Sequence, residues 1–116
     1  MENKFELVHL GVNTPNPEEA DKLAKLLSLM FNLTPRHGQK SEFAGPCFEC
    51  MKAPFLGTNG HVAMATPDLD AAVEELKGKG FAFNMDTAAY DDEGRLKNVY
   101  LDGEYGGFAI HIMRKG

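Results

Sequence analysis

The chain has 116 residues, 43% of them apolar and 25% charged, with a net charge of −5. That is enough for one domain (1–116) with a core, and it fits an ordinary globular composition. No apolar run approaches the ~20 residues that span a bilayer, and an acidic chain without a lysine or arginine stripe is poorly suited to nucleic acid. No membrane or nucleic-acid partner is therefore expected. Met1-Glu2-Asn3-Lys4 carries no hydrophobic stretch of the secretory kind, so a cytoplasmic location is expected. Cys47 and Cys50 do not form a disulfide framework.

Phe5 to Asn13 alternates two sets of residues, as in a strand with two different faces. Phe5, Leu7, His9 and Gly11 form one set, and Glu6, Val8, Leu10 and Val12 the other. Asn16 is placed to cap a helix opening with Pro17, Glu18 and Glu19. Its apolar stripe is Ala20, Leu23, Ala24, Leu27, Met30 and Phe31. Leu26, Leu29 and Leu33 widen the stripe and are compatible with a homodimer face. Three short strands are expected at 34–37, 41–44 and 47–51, separated by Gly38 and Gly45-Pro46.

The pattern then restarts. Gly60-His61-Val62-Ala63-Met64-Ala65-Thr66-Pro67 matches Val8-His9-Leu10-Gly11-Val12-Asn13-Thr14-Pro15, with His9 and His61 52 positions apart. Such a repeat implies one folding unit used twice to complete a core. Asp68 or Thr66 caps a second helix with the stripe Leu69, Ala72, Val73 and Leu76, ending at Gly78 to Gly80. Phe81 to Tyr90, Arg95 to Leu101 and Gly107 to Met113 read as three strands joined by Asp92-Glu93-Gly94 and Asp102-Gly103. Each half is strand, helix, three strands: module one about 5–53, module two about 58–114. The fold class is α+β, with two βαβββ modules forming paired curved sheets around a shared cavity.

Strand parity selects the residues facing that cavity. Phe48 and Cys50 belong under the first helix, which turns Cys47, Glu49 and Met51 the other way. Phe108, Ile110 and Ile112 form a continuous apolar face, leaving Ala109, His111 and Met113 opposite. Val8, Leu10 and Val12 are assigned to the first helix, and Val62 and Met64 to the second, which leaves His9 and His61 facing the hollow. Three imidazoles and one carboxylate thus point into one cavity from four strands. Taken singly, a histidine in an apolar strand is as readily a hydrogen-bonded core residue.

With these residues in place, the whole chain resembles the vicinal oxygen chelate superfamily. That group includes glyoxalase I, the bleomycin-resistance proteins, the extradiol dioxygenases and methylmalonyl-CoA epimerase. The resemblance implies metal ligands on the first and last strands of each module, here His9, Glu49, His61 and His111. His111 stands where such sequences usually carry a glutamate. The donor set suits zinc, nickel, cobalt or iron rather than magnesium or calcium.

The resemblance further implies a metal-dependent lyase, isomerase or epimerase acting on a small hydroxy or oxo compound through an enolate-type intermediate, with Glu49 as general base. Cys47, Arg36 and Tyr100 are candidate substrate contacts: a pocket wall, a partner for an anionic group and a hydrogen-bond donor. A metal-free pocket that sequesters a drug or toxin is the alternative reading, and a dioxygenase a further one. Cys47-x-x-Cys50 is not expected to bind one metal, because positions three apart on a strand face opposite ways.

Overall fold

Residues 2–116 are described by the computed structural model; Met1, part of the amino-terminal stretch read above, lies outside them. Module one comprises β1 (Glu6–Asn13), α1 (Pro17–Phe31), β2 (Pro35–His37), β3 (Ser41–Ala44) and β4 (Phe48–Met51). Module two repeats the order as β5 (Gly60–Thr66), α2 (Leu69–Gly78), β6 (Phe83–Tyr90), β7 (Leu96–Leu101) and β8 (Phe108–Arg114).

The expected paired sheets are halves of one open eight-stranded sheet, ordered β2-β3-β4-β1-β5-β8-β7-β6. In each module the last strand returns parallel to the first, β4 beside β1 and β8 beside β5. That leaves one edge of each first strand with unpaired backbone groups. β1 and β5 satisfy each other by pairing antiparallel, so the duplicated units share one ladder at the centre of the molecule.

The helices pack on one face. α1 lies across β3 and β4 over Ala20, Ala24, Ala44 and Cys50, with Leu23, Leu27, Leu33 and Phe48 around them. α2 lies over β7, β5 and β8, where Leu69, Val73, Leu96, Val99, Leu101 and Ile112 are buried. The parity argument therefore holds where it matters, since Phe48, Cys50, Ile110 and Ile112 lie on the helix side.

Three local expectations need correction. The register of β1 against β5 shifts between Leu7 and His9, so that Leu7 pairs with Met64 but His9 with Ala63. One extra residue reverses the facing of everything before it. Phe5 accordingly packs on the module-two core instead of sharing a face with His9. Val8, Leu10 and Val12 do not lie beneath α1; they are half-buried, because α1 sits further out, on the neighbouring strand β4 and on β3 beyond it. Finally, the α1 stripe ends early: Met30 and Phe31 are 60% and 58% exposed, and Ser28 takes the buried position. Leu26 and Leu29 are exposed as expected, whereas Leu33 packs into the module-one core.

Both helix starts are capped by side chains. Asn16 Oδ1 accepts from the Glu19 N–H at 2.8 Å, and Asp68 Oδ1 from the Ala71 N–H at 3.1 Å. Asn32, in the left-handed region at φ 56°, ends α1. Asn16→Ala should lower stability by about 1 kcal/mol, read as a reduced urea midpoint at unchanged slope. No helix among the described residues is long and apolar enough to cross a membrane.

Candidate metal centre

On the face opposite the helices, strand register lines up two rows of residues. One runs Arg36, Phe43, Glu49, Gly11, His61, Ala109 across β2, β3, β4, β1, β5 and β8. The other runs His9, Ala63, His111, Tyr100, Asn84 across β1, β5, β8, β7 and β6. The rows are related by the duplication. His61 and His9 correspond, as do Gly11 and Ala63, Glu49 and His111, Phe43 and Tyr100.

The central residues converge. His9 Nε2 and His61 Nε2 are 3.1 Å apart, and Glu49 Oε1 lies 3.2 Å from the first and 3.1 Å from the second. One ring nitrogen from each of His9, His61 and His111 lies within 4.8 Å of the others. His61 and His111 are buried, at 3% and 7% exposure, while His9 and Glu49 are partly open to solvent. The cluster is thus approached from the His9–Glu49 side.

Glycine at position 11 makes the convergence possible. Its backbone is ordinary, but a Cβ built there would fall inside the His61 ring. The imidazole lies directly over β1 because nothing projects from that residue.

Surrounding groups fix the ring and carboxylate orientations. Ser41 Oγ donates to Glu49 Oε2 at 2.7 Å. Asn98 Oδ1 lies 2.6 Å from His111 Nδ1, and the Tyr100 ring stacks on His111 with centroids 4.6 Å apart and planes at 23°. Phe55, from the segment joining the modules, meets Tyr100 edge-on at 6.1 Å.

Electrostatics follows from burial and from these partners. Hydrogen bonds from His61 and then His9, reinforced by Ser41, hold the Glu49 carboxyl well below the usual carboxylate range against the opposing effect of burial. Burial, reinforced by the positive charges that His61 and His9 can carry, pushes His111 down to about 4. Burial, with Glu49 nearby, pushes the Tyr100 hydroxyl up to about 12.

His9 Nε2, His61 Nε2 and Glu49 Oε1 form a triangle with sides of 3.1–3.2 Å, which ring protons hold together in the metal-free protein and a shared cation can hold in their place. Metal–ligand bonds of 2.0–2.2 Å, at tetrahedral to octahedral angles, set ligand atoms about 2.8 to 3.6 Å apart, so the triangle fits a divalent transition ion. One buried ring nitrogen, His111 Nε2, has no partner among the described residues; His61 Nδ1 also has none, but it lies across the ring from the clustered Nε2. Buried polar atoms are normally satisfied, and an unpartnered His111 Nε2 beside this cluster points to a ligand. The three histidines could hold a metal ion.

The remaining sequence candidates lie further out. Arg36 rests on the Phe43 ring at 3.9 Å and pairs with no carboxylate among the described residues. The residue after it, His37, turns to the other face, its Nδ1 2.6 Å from Glu42 Oε2. Cys47 is exposed in the turn before β4, outside the cluster of ligating atoms, and Cys50 is buried on the helix side. Tyr100 meets the cluster through its ring face, stacked on His111.

No family model and no curated protein sequence matches the chain. Solved structures do. A selenomethionine-labelled methylmalonyl-CoA epimerase aligns with a TM-score of 0.68 at 17% identity, covering 100% of this chain and 99% of that one. The chain has the methylmalonyl-CoA epimerase fold. The Mycobacterium tuberculosis enzyme of that name gives 0.64 at 16% identity, over 95% of this chain and 87% of that one. A hypothetical protein, BH1468 from Bacillus halodurans C-125, gives 0.64 at 14%, over 97% and 96%. This is the glyoxalase-like architecture expected from the sequence.

Proposed function

We propose that this protein is a metal-dependent enzyme of the glyoxalase-like type, acting on a small hydroxy or oxo compound. The observation that carries the reading is the gathering of one ring nitrogen from each of His9, His61 and His111 within 4.8 Å, with Glu49 Oε1 3.2 and 3.1 Å from the first two. The three imidazoles would hold the ion, and Glu49 Oε1 would complete the set. Zinc, nickel, cobalt and iron all suit such a donor set. When bound, a divalent ion supplies Lewis-acid stabilisation of an oxyanion developing on the substrate.

The geometry favours Glu49 as a ligand over Glu49 as a general base. One oxygen faces two imidazoles, the other is held by Ser41, and a carboxylate so strongly held in its ionised form is a weak proton acceptor. Inverting a carbon centre by proton transfer takes an acceptor on one side and a donor on the other. The positions flanking the cluster on β3 and β7 are Phe43 and Tyr100, and a hydroxyl pushed up to about 12 donates rather than accepts at neutral pH. Within the classes the resemblance implies, the fold shared with methylmalonyl-CoA epimerase supports an isomerase or epimerase, with Tyr100 as the donor side of the proton transfer. A metal-free binding site for a flat small molecule is the second reading, supported by the aromatic surfaces of Phe43, Tyr100 and Phe55.

Elemental analysis of protein purified without added metal separates the two readings. The enzyme reading expects about one transition ion per chain, retained or taken up on reconstitution. Small 2-oxo acids, 2-hydroxy acids and acyl thioesters incubated with loaded protein in deuterated water should then gain deuterium next to the carbonyl. Glu49→Gln should weaken metal affinity roughly 10- to 100-fold, as loss of a charged ligand does at least as much harm as loss of a group behind one. Protein that never binds a divalent ion leaves only the metal-free pocket.

A further inference from the structure

The duplication extends beyond the clustered groups to the residues that hold them. On the β3–β4 ladder Phe43 lies opposite Glu49 and Ser41 opposite Met51. On the β7–β8 ladder Tyr100 lies opposite His111 and Asn98 opposite Met113. Both ladders therefore carry one pattern. A polar residue, a spacer and an aromatic, Ser41-Glu42-Phe43 and Asn98-Val99-Tyr100, face Glu49-Cys50-Met51 and His111-Ile112-Met113.

In each module the polar residue reaches diagonally across the ladder to the group on the last strand. Ser41 Oγ meets Glu49 Oε2 at 2.7 Å, and Asn98 Oδ1 meets His111 Nδ1 at 2.6 Å. Diagonal neighbours of an antiparallel pair lie within this reach. Each contact suits its target. A carboxylate only accepts, and a hydroxyl donates to it. A neutral imidazole has one N–H and one lone pair, and an amide oxygen engages the N–H. With Nδ1–H committed to Asn98, the lone pair is left on Nε2, which is buried and has no partner among the described residues. Tyr100 holds the ring plane from its face. The opposite amide orientation would place hydrogen on Nε2 and disable His111 as a ligand.

We propose that Ser41 and Asn98 are the matched positioning residues of this site, Ser41 orienting the Glu49 carboxylate and Asn98 fixing His111 as the Nδ1–H tautomer with Nε2 free to bind an ion. The proposal rests on the metal reading given above. In the metal-free protein the His111 tautomer is already set by Asn98.

Nitrogen-15 chemical shifts of the histidine rings in the metal-free wild-type protein should show His111 as Nδ1–H, and Asn98→Leu should shift it toward a mixture. Zinc affinity, measured by competition with a chelator, should fall 10- to 100-fold in Asn98→Leu and in Ser41→Ala. Asn98→Asp, which keeps an acceptor oxygen, should retain affinity within a few-fold. A wild-type His111 found as Nε2–H overturns the proposal, as does unchanged zinc affinity in both Asn98→Leu and Ser41→Ala. Failure of wild-type protein to take up zinc, cobalt, nickel or iron overturns the metal reading itself, and the proposal with it.

Discussion

Gly11→Ala should abolish tight metal binding as completely as His61→Ala does, although residue 11 offers no ligand atom. A Cβ at that position falls within the His61 ring, and the ring stands over β1 in the middle of a continuous sheet. A close-packed site cannot absorb an overlap of that size by small adjustments, so the imidazole must rotate out. Losing one of three clustered imidazoles should cost at least 100-fold in zinc affinity, beyond the 10- to 100-fold typical of groups that only orient a ligand. The backbone at Gly11 is not in a glycine-only region, so the variant should keep its strand register and its circular dichroism spectrum. The duplication supplies the control. Ala63 holds the corresponding place beside His9, already carries a Cβ and is fully buried. Ala63→Gly should leave metal affinity nearly unchanged and cost only about 0.5–1 kcal/mol of stability. Tight zinc binding by Gly11→Ala would mean that His61 is not held over β1.

The metal-free protein should lose stability steadily as the pH falls from 6.5 to 4, chiefly through His111. Burial holds its conjugate acid down to about 4, against 6.5 for an ordinary histidine. Between those values the unfolded chain binds a proton that the folded chain refuses, so acid favours unfolding. The full effect is on the order of 3 kcal/mol, present above pH 6.5 and lost by about pH 4. Glu49 adds to the loss at lower pH. Its folded value is depressed, so its contribution is present above the ordinary carboxylate range and disappears as it is protonated below it. Urea midpoints across this range should slope steeply for the wild type and become flatter for His111→Gln, which removes the buried titrating group. Equal slopes for the two proteins would show that His111 is not held neutral by burial.

Much of this architecture was legible in the residues because duplication and strand parity are properties of the chain itself. The repeat of His9 with Thr14-Pro15 and His61 with Thr66-Pro67 marks two modules. The apolar runs through Phe48, Cys50, Ile110 and Ile112 declare which face lies under the helices, which leaves Glu49 and His111 on the other. Parity failed at Phe5 and Leu7, where the register shift ahead of His9 reverses the alternation. Such a shift depends on how β5 pairs with β1, not on β1 alone. The α1 stripe failed at Met30 and Phe31 for a similar reason: periodicity tells which residues share a helix face, not how far the sheet extends beneath it.

Ser41 and Asn98 went unread because short polar residues in strands are common. Only the ladders show that both stand one register step from a clustered group. The same holds for Gly11, whose significance is the absence of a side chain beneath a ring that comes from 50 residues away. Local order decided the elements, their caps and the inward side of each strand, because those depend on neighbours a few positions apart. Which strands became adjacent, and so which imidazole stands beside which carboxylate, was decided by β1 and β5 completing each other's open edges. That pairing across the two modules exists only in three dimensions.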